Sequence, residues 1–136
     1  MSVHISWVVG LRCRAVRREP HTWHFSLDAG TSLVAECPWR IIARAGIVLG
    51  SVDDHQPFGL PAPVDAEALA GELLGGREVI AAEIKPETAD LVLTFEGERR
   101  LELFNNSSGY EGWTLNGSDG RRLIAQGGGT VVELGG

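Results

Sequence analysis

The sequence predicts an α+β fold, a mainly antiparallel and curled sheet of hairpins with one covering helix, in a single domain spanning residues 1–136. Three observations carry this. Apolar side chains recur with a period of two along most of the chain, as on half-buried strands. Acidic–glycine turns separate those runs at hairpin spacing. One segment alone, about residues 65–75, switches to the helical period.

The elements follow in order. Residues 5–9 and 11–17 read as the first strands, and "RCRAVRR" puts Arg12 and Arg14 on one face with Leu11, Cys13 and Ala15 on the other. In "TWHFSLDAGTSLVAEC", Trp23, Phe25 and Leu27 alternate with His24, Ser26 and Asp28, "DAG" turns, and Leu33, Ala35 and Cys37 return. Residues 40–49 make the next strand. The prolines at 57, 61 and 63 then force "DDHQPFGLPAP" into an irregular loop. In "PAPVDAEALAGELLGG", Asp65 is placed to cap a helix, Ala66, Leu69, Ala70, Leu73 and Leu74 form its apolar stripe, and Gly75 is suited to end it in a left-handed conformation. Residues 78–84 form a strand, and "ADLVLTFEGERRLELF" folds a second hairpin with Leu91, Leu93 and Phe95 facing Leu101 and Leu103. Residues 110–115 and 121–126 pair around "NGSDG", and 130–134 is the last strand. The two central hairpins share an outline of strand, acidic–glycine turn, strand and corner, a pseudo-repeat too long and too few in copies for a solenoid. The expected core is Trp23, Phe25, Leu91, Leu93, Leu101 and Leu103 against Leu69 and Leu73.

At 136 residues, 43% apolar and 22% charged, the chain can bury an ordinary core. No apolar run reaches the ~20 residues of a membrane helix, and "MSVHISWVVGLRCR" carries its arginines after its apolar stretch, the reverse of a secretory signal. A cytoplasmic location without a membrane partner is the expectation. The net charge of −6 argues against nucleic acid as a partner. Six arginines outweigh Glu19, Asp28 and Glu36 in residues 1–44, so the acidic excess lies wholly in the later two-thirds, a field that first of all keeps the chain soluble and alternatively favours a basic protein partner.

Chemistry-bearing motifs are sparse. His21 and His24 point to opposite faces of a strand, "DDH" at 53–55 lacks the spacing of a metal loop, and "GGGT" at 127–130 precedes a strand rather than a helix, so no metal or cofactor is expected. Cys13 and Cys37 read as packed thiols, with Cys37 beside a histidine as the alternative, nucleophilic reading of that residue. No strand–"GxSxG"–helix elbow is present and no catalytic residue is singled out. The candidate surface is "FNNSSGYEGWTLNG", residues 104–117: Asn105, Asn106, Tyr110, Glu111 and Trp113 concentrate turn formers and amphipathic rings, with Glu102 and Asp119 as rim carboxylates. Trp113 there suits a core edge as well as a contact surface.

"GLRCRAV", "AECPWRI", the "LLGG" helix end, "LVLTFEGERRLEL", "GYEGWTLNGSDGR" and "GGGTVVEL" together resemble an uncharacterised family of small bacterial, mostly actinobacterial, proteins classed as a domain of unknown function. Its final motif is usually a proline followed by two glycines where this chain has "QGGGT", and the loop "SVDDHQPFGLPAP" also departs from its pattern. The resemblance supports the fold and adds no site. Some members resemble proteins encoded beside toxins, which implies an immunity-type binding role. Three readings follow: a non-catalytic domain binding a basic protein, in an immunity or regulatory role; an enzyme using carboxylates in a cleft; or a subunit of a homo-oligomer.

Overall fold

The computed structural model describes residues 3–135 and contains eleven strands and one α-helix among them. The strands are β1 (Cys13–Glu19), β2 (Thr22–Leu27), β3 (Ser32–Ala35), β4 (Trp39–Ala43), β5 (Gly46–Gly50), β6 (Val79–Ile84), β7 (Leu91–Phe95), β8 (Arg99–Leu103), β9 (Trp113–Asn116), β10 (Arg122–Ala125) and β11 (Val131–Leu134); α1 is Ala66–Leu74. The fold is α+β, as the sequence predicts. The strands form two antiparallel sheets, ordered β1-β2-β3-β9-β10-β11 and β5-β4-β8-β7-β6. Their inner faces share one core, in which Phe25, Leu33, Leu115 and Leu123 of the first sheet meet Ile41, Leu91, Leu93 and Leu101 of the second. The chain crosses between sheets twice, at 36–38 and at 104–112.

The two halves of the chain repeat one unit. β1, β2 and β3 form a meander that crosses into β4 and β5; β6, β7 and β8 form another that crosses into β9 and β10. β3 pairs with β9 and β4 with β8, the same exchange seen from either half. Registers agree residue by residue. Cys13 opposes Leu27 and Val79 opposes Phe95, each just before a bulge, at Cys13/Ala15 and at Val79/Ala81. Trp23 opposes Ala35 as Leu91 opposes Leu103, and Ala35 opposes Trp113 as Leu103 opposes Trp39. The axis of this pseudo-twofold runs through an antiparallel bridge between Arg12 and Glu78, the residues that map onto each other. Around it the bonds come in matched pairs: Cys13 N–H donates to Arg77 O (3.0 Å) and Val79 N–H to Leu11 O (2.8 Å), while Arg12 N–H donates to Asp28 Oδ2 (2.8 Å) and Glu78 N–H to Glu96 Oε1 (2.9 Å). This seam joins β1 to β6, so the strands curl into one continuous wall.

Helix α1 packs against β1 and β5. Asp65 Oδ1 accepts from Ala68 N–H at 3.1 Å, the expected cap, and Ala66, Ala70 and Leu74 are buried while Leu69 and Leu73 pack partly buried against the core. Gly75 is extended, and the left-handed position falls to Gly76 at φ 76°. Gly75 is still required, because a Cβ there would strike the Gly71 carbonyl.

Several local expectations are corrected. Residues 5–9 do not form a strand: Ser6–Val8 is a 3-10 turn that inserts Val8 into the core. Residues 40–49 are two strands joined through Arg44 and Ala45, both left-handed at φ 53° and 62°. The β1 bulge turns Ala15 outward and Val16 inward. Trp23 is half-buried rather than buried. The strand expected over 110–115 begins only at Trp113, leaving Tyr110 and Glu111 in the crossover.

Candidate functional site

One end of the sandwich gathers both crossovers, the turns at 19–22, 85–90 and 126–130, and the 3-10 turn Ser51–Asp53. Here the repeat breaks in two places. Ala35 and Trp39 are joined by residues 36–38, while their counterparts Leu103 and Trp113 are joined by 104–112. Each crossover is tied to the other, Glu36 N–H donating to Gly112 O (2.8 Å) and Phe104 N–H to Pro38 O (2.9 Å), so Asn105 matches Cys37 and residues 106–111 are an insertion. The turn from Arg18 to Trp23 is "EPHT", whereas the matching turn from Ile84 to Leu91 is "KPETAD". The first half therefore lacks a counterpart of Ala89 and Asp90.

In the second half the end segments interlock. Asn105, 8% exposed, donates both Nδ2 protons, to Thr88 O (2.9 Å) and Gln126 O (3.0 Å), and its backbone N–H donates to Asp90 Oδ1 (2.9 Å). The Trp113 indole N–H donates to Ala89 O at 2.8 Å in full burial. Close approach depends on glycine: a Cβ at Gly112 would collide with Asn105 Oδ1, and one at Gly129 with the Glu87 carbonyl. The "GGGT" segment is thus a backbone contact, and Gly129 at φ 103° is also conformationally restricted to glycine.

In the first half the equivalent segments stand apart. A cavity of about 400 Å³ lies among the 19–22 turn, the 36–38 crossover and Ser51–Asp54. A second, of about 530 Å³, lies between that crossover and the 106–111 insertion, and the two share His21, Glu36 and Cys37. Together they form one groove. The second cavity carries Glu36 and Glu111, both exposed and in no ion pair among the described residues, and its lining includes no Lys or Arg. Ser107 Oγ accepts from the Gly109 and Tyr110 N–H groups (3.0 and 2.9 Å), which fixes the insertion and leaves Tyr110 83% exposed.

The sequence-derived candidates separate accordingly. Asn105, Asn106, Tyr110 and Glu111 line the groove. Trp113 is fully buried and belongs to the core, so it offers no contact surface. Glu102 lies outside the groove on β8, where Arg40 Nε donates to it at 2.7 Å and Arg100 Nε at 3.2 Å. Partial desolvation acts to raise the Glu102 pKa, and the hydrogen bonds from Arg40 and Arg100 outweigh it and hold the carboxyl below its usual range. Asp119 sits in the β9–β10 turn at the opposite end of β9, paired with Arg121 at 3.4 Å. Neither carboxylate rims the corner as the sequence suggested. His21, Glu36 and Cys37 also line the groove, at the place that the unequal turns and crossovers of the pseudo-repeat mark.

Other motifs are absorbed by structure. Arg12 pairs with Glu78 and Glu96 and Arg14 with Asp28, which satisfies the basic run internally. Asp54 binds Arg18 and accepts from Ala66 N–H, and Asp53 accepts from Gly50 N–H. No cluster suited to a metal ion occurs among the described residues. Burial pushes the Cys37 thiol up to about 12, far above the range of a nucleophilic cysteine. No helix among the described residues is long and apolar enough to cross a membrane. Comparison with protein-family models, curated proteins and solved structures finds no match.

Proposed function

We propose that this protein is a non-catalytic binding domain whose end groove receives a basic segment of a protein partner, in an immunity or regulatory role within the cytoplasm. The observation that carries the reading is the second cavity. Two unpaired carboxylates, Glu36 and Glu111, flank a concave site rimmed by the nearly fully exposed ring of Tyr110. A guanidinium or ammonium group is the complement of that arrangement, through charge-assisted hydrogen bonds and through the ring face. The site is built on an insertion that the repeat itself does not need, so the fold gains nothing obvious from displaying Tyr110. An enzyme reading has less support, since burial holds the one thiol in the groove protonated. The acidic surface likewise disfavours nucleic acid.

Titrating the ¹⁵N-labelled protein with a blocked Gly-Arg-Gly-Lys-Gly peptide tests this directly. Shifts should concentrate at Glu36 and residues 106–111 and weaken with added salt. Shifts spread evenly over the acidic surface would reject the groove as a site.

A further inference from the structure

The far ends of β4 and β8 from the groove carry the opposite charge. Arg44 in the β4–β5 turn and Arg99 at the start of β8 line one cavity beside the last turn of α1, and the charge of Arg77, just beyond that helix, acts on Arg99. None of the three forms an ion pair among the described residues. Of the twelve Lys and Arg side chains only Arg122 shares that condition, and it donates to Asn116 Oδ1 at 3.0 Å. Structural duties account for part of the cluster only. Arg99 Nη1 donates to Leu73 O (2.7 Å), which answers the negative end of α1, and Arg77 Nη1 donates to Glu96 O (3.2 Å). A guanidinium has more donors than either bond uses, and the exposed Arg44 side chain makes no hydrogen bond among the described residues. Partial burial, and then the charges of Arg77 and Arg44, push the Arg99 pKa down, so the cluster is repulsive as it stands. Arg44 also holds a left-handed backbone at φ 53°, where a hairpin turn ordinarily places Asn or Gly.

The repeat requires none of these charges. Leu27 bonds to Thr31 as Phe95 pairs with Arg99, Asn116 opposes Ser32 as Ile42 opposes Arg100, and Arg77 and Leu11 serve alike at the seam. Arg99, Arg44 and Arg77 therefore map onto Thr31, Ser118 and Leu11, all uncharged. The two places are also filled differently. Gly10 N–H and Gly76 N–H make matching bonds to Val79 O and Cys13 O (2.8 Å each), which puts Trp7 in the position of Leu73. The Trp7 ring packs on Gly117, where a Cβ would come within 3.1 Å of Cζ3, and the Arg121 guanidinium lies over that ring, 5.1 Å from its centroid. Leucine is the smaller side chain. Around Leu73 there is instead a cavity of about 380 Å³, whose apolar lining includes Val48 and Leu69 and whose charged groups are Arg44, Arg99 and Glu72.

We propose that this cavity binds a small phosphomonoester: its dianionic head takes charge-assisted hydrogen bonds from Arg44 and Arg99, Arg77 adds to the field, and its organic part lies against Val48, Leu69 and Leu73. A dianion offsets two of the three unpaired charges, which a single carboxylate does not. Glu72 disfavours a second phosphate, so the ligand is a monophosphate rather than a polyanion.

Phenyl phosphate is the probe, titrated into the ¹⁵N-labelled protein above about pH 7, where a phosphomonoester is mainly the dianion, at ionic strength held constant with sodium chloride. The Nε–H cross-peaks of Arg44 and Arg99 and the amides of Val48, Leu69 and Leu73 should shift saturably. Benzoate, with a ring but one charge, and inorganic phosphate, with the head but no ring, should each bind at least about 3-fold more weakly. Arg44→Asn removes the charge and suits the left-handed turn, so it should weaken phenyl phosphate about 5-fold or more at an unchanged or raised melting temperature. Arg99→Gln should weaken binding and also lower the melting temperature, because Leu73 O loses its donor. Arg122→Gln should leave binding unchanged. Wild-type affinity in Arg44→Asn would overturn the site, as would the absence of saturable binding or shifts spread evenly over the arginines. Equal affinity for benzoate or for inorganic phosphate would overturn the phosphomonoester assignment. None of these outcomes bears on the basic-segment reading, which the Gly-Arg-Gly-Lys-Gly titration tests at Glu36 and residues 106–111.

Discussion

The indole of Trp113 shows how much of the candidate stretch is structural. Its N–H is committed to Ala89 O, so Trp113→Phe orphans a buried carbonyl and should cost about 1–3 kcal/mol in urea unfolding from that loss alone. Asn105 is committed in the same way, through two carbonyls and one carboxylate on different turns. Tyr110 is free of such duties. Tyr110→Ala should leave stability within about 0.5 kcal/mol, as surface changes usually do, while weakening a basic peptide about 2- to 10-fold. Cys37 offers a chemical check on burial. With its pKa pushed up to about 12, only ~10⁻⁴ of the thiol is ionised at pH 8, so a thiol reagent should label it at the rate of local opening rather than at the rate of a free cysteine. Prompt labelling in the native state would show that the groove floor is open.

At the scale of elements, the β1–β6 seam contributes to the response to acid. Asp28 is held below the ordinary carboxylate range first by the Arg12 backbone N–H and then by Arg14; Glu96 is held down first by the Glu78 backbone N–H and also by Arg12. Each folded pKa is depressed relative to the unfolded chain. Their contribution is therefore present above the unfolded carboxylate range and lost as pH falls through the folded values. Asp28→Asn with Glu96→Gln should flatten the acid limb of a stability–pH profile while altering its neutral plateau far less, and an unchanged acid limb would place the sensitivity elsewhere. The hairpins β2–β3 and β7–β8 make a mechanical counterpart: Leu93→Ala, at 0% exposure between the sheets, should cost about 2–5 kcal/mol. These hairpins were legible because strict alternation and "DAG" or "EGE" turns are local signals. The turn at Arg44 and Ala45 was hidden because two non-glycine residues adopt left-handed backbone without an Asn-Gly signature. "ISWVV" at 5–9 has the composition of a strand, and only its position beside β6, a tertiary fact, turns it into a 3-10 insertion.

For the molecule as a whole, asymmetry within a repeated unit is what creates the groove. The repeat was visible as two matching outlines, but its consequence required knowing that β3 lies on β9 and β4 on β8. Only that long-range pairing brings His21, Glu36 and Cys37 against residues separated from them by some seventy positions. It also removes Glu102 and Asp119 from the site, since one lies on an outer sheet face and the other at the far end of β9. Nothing in the local sequence distinguishes those carboxylates from Glu36 and Glu111. The direct test of the groove is the affinity of the Gly-Arg-Gly-Lys-Gly peptide for two double variants, each losing two groups from the acidic half of the chain. At about 0.15 M salt, where charges beyond ~8 Å are screened, Tyr110→Ala with Glu111→Gln should weaken binding about 10-fold or more, while Glu102→Gln with Asp119→Asn should change it less than about 2-fold. Equal weakening by both pairs would contradict a site at the groove and leave only a diffuse acidic field.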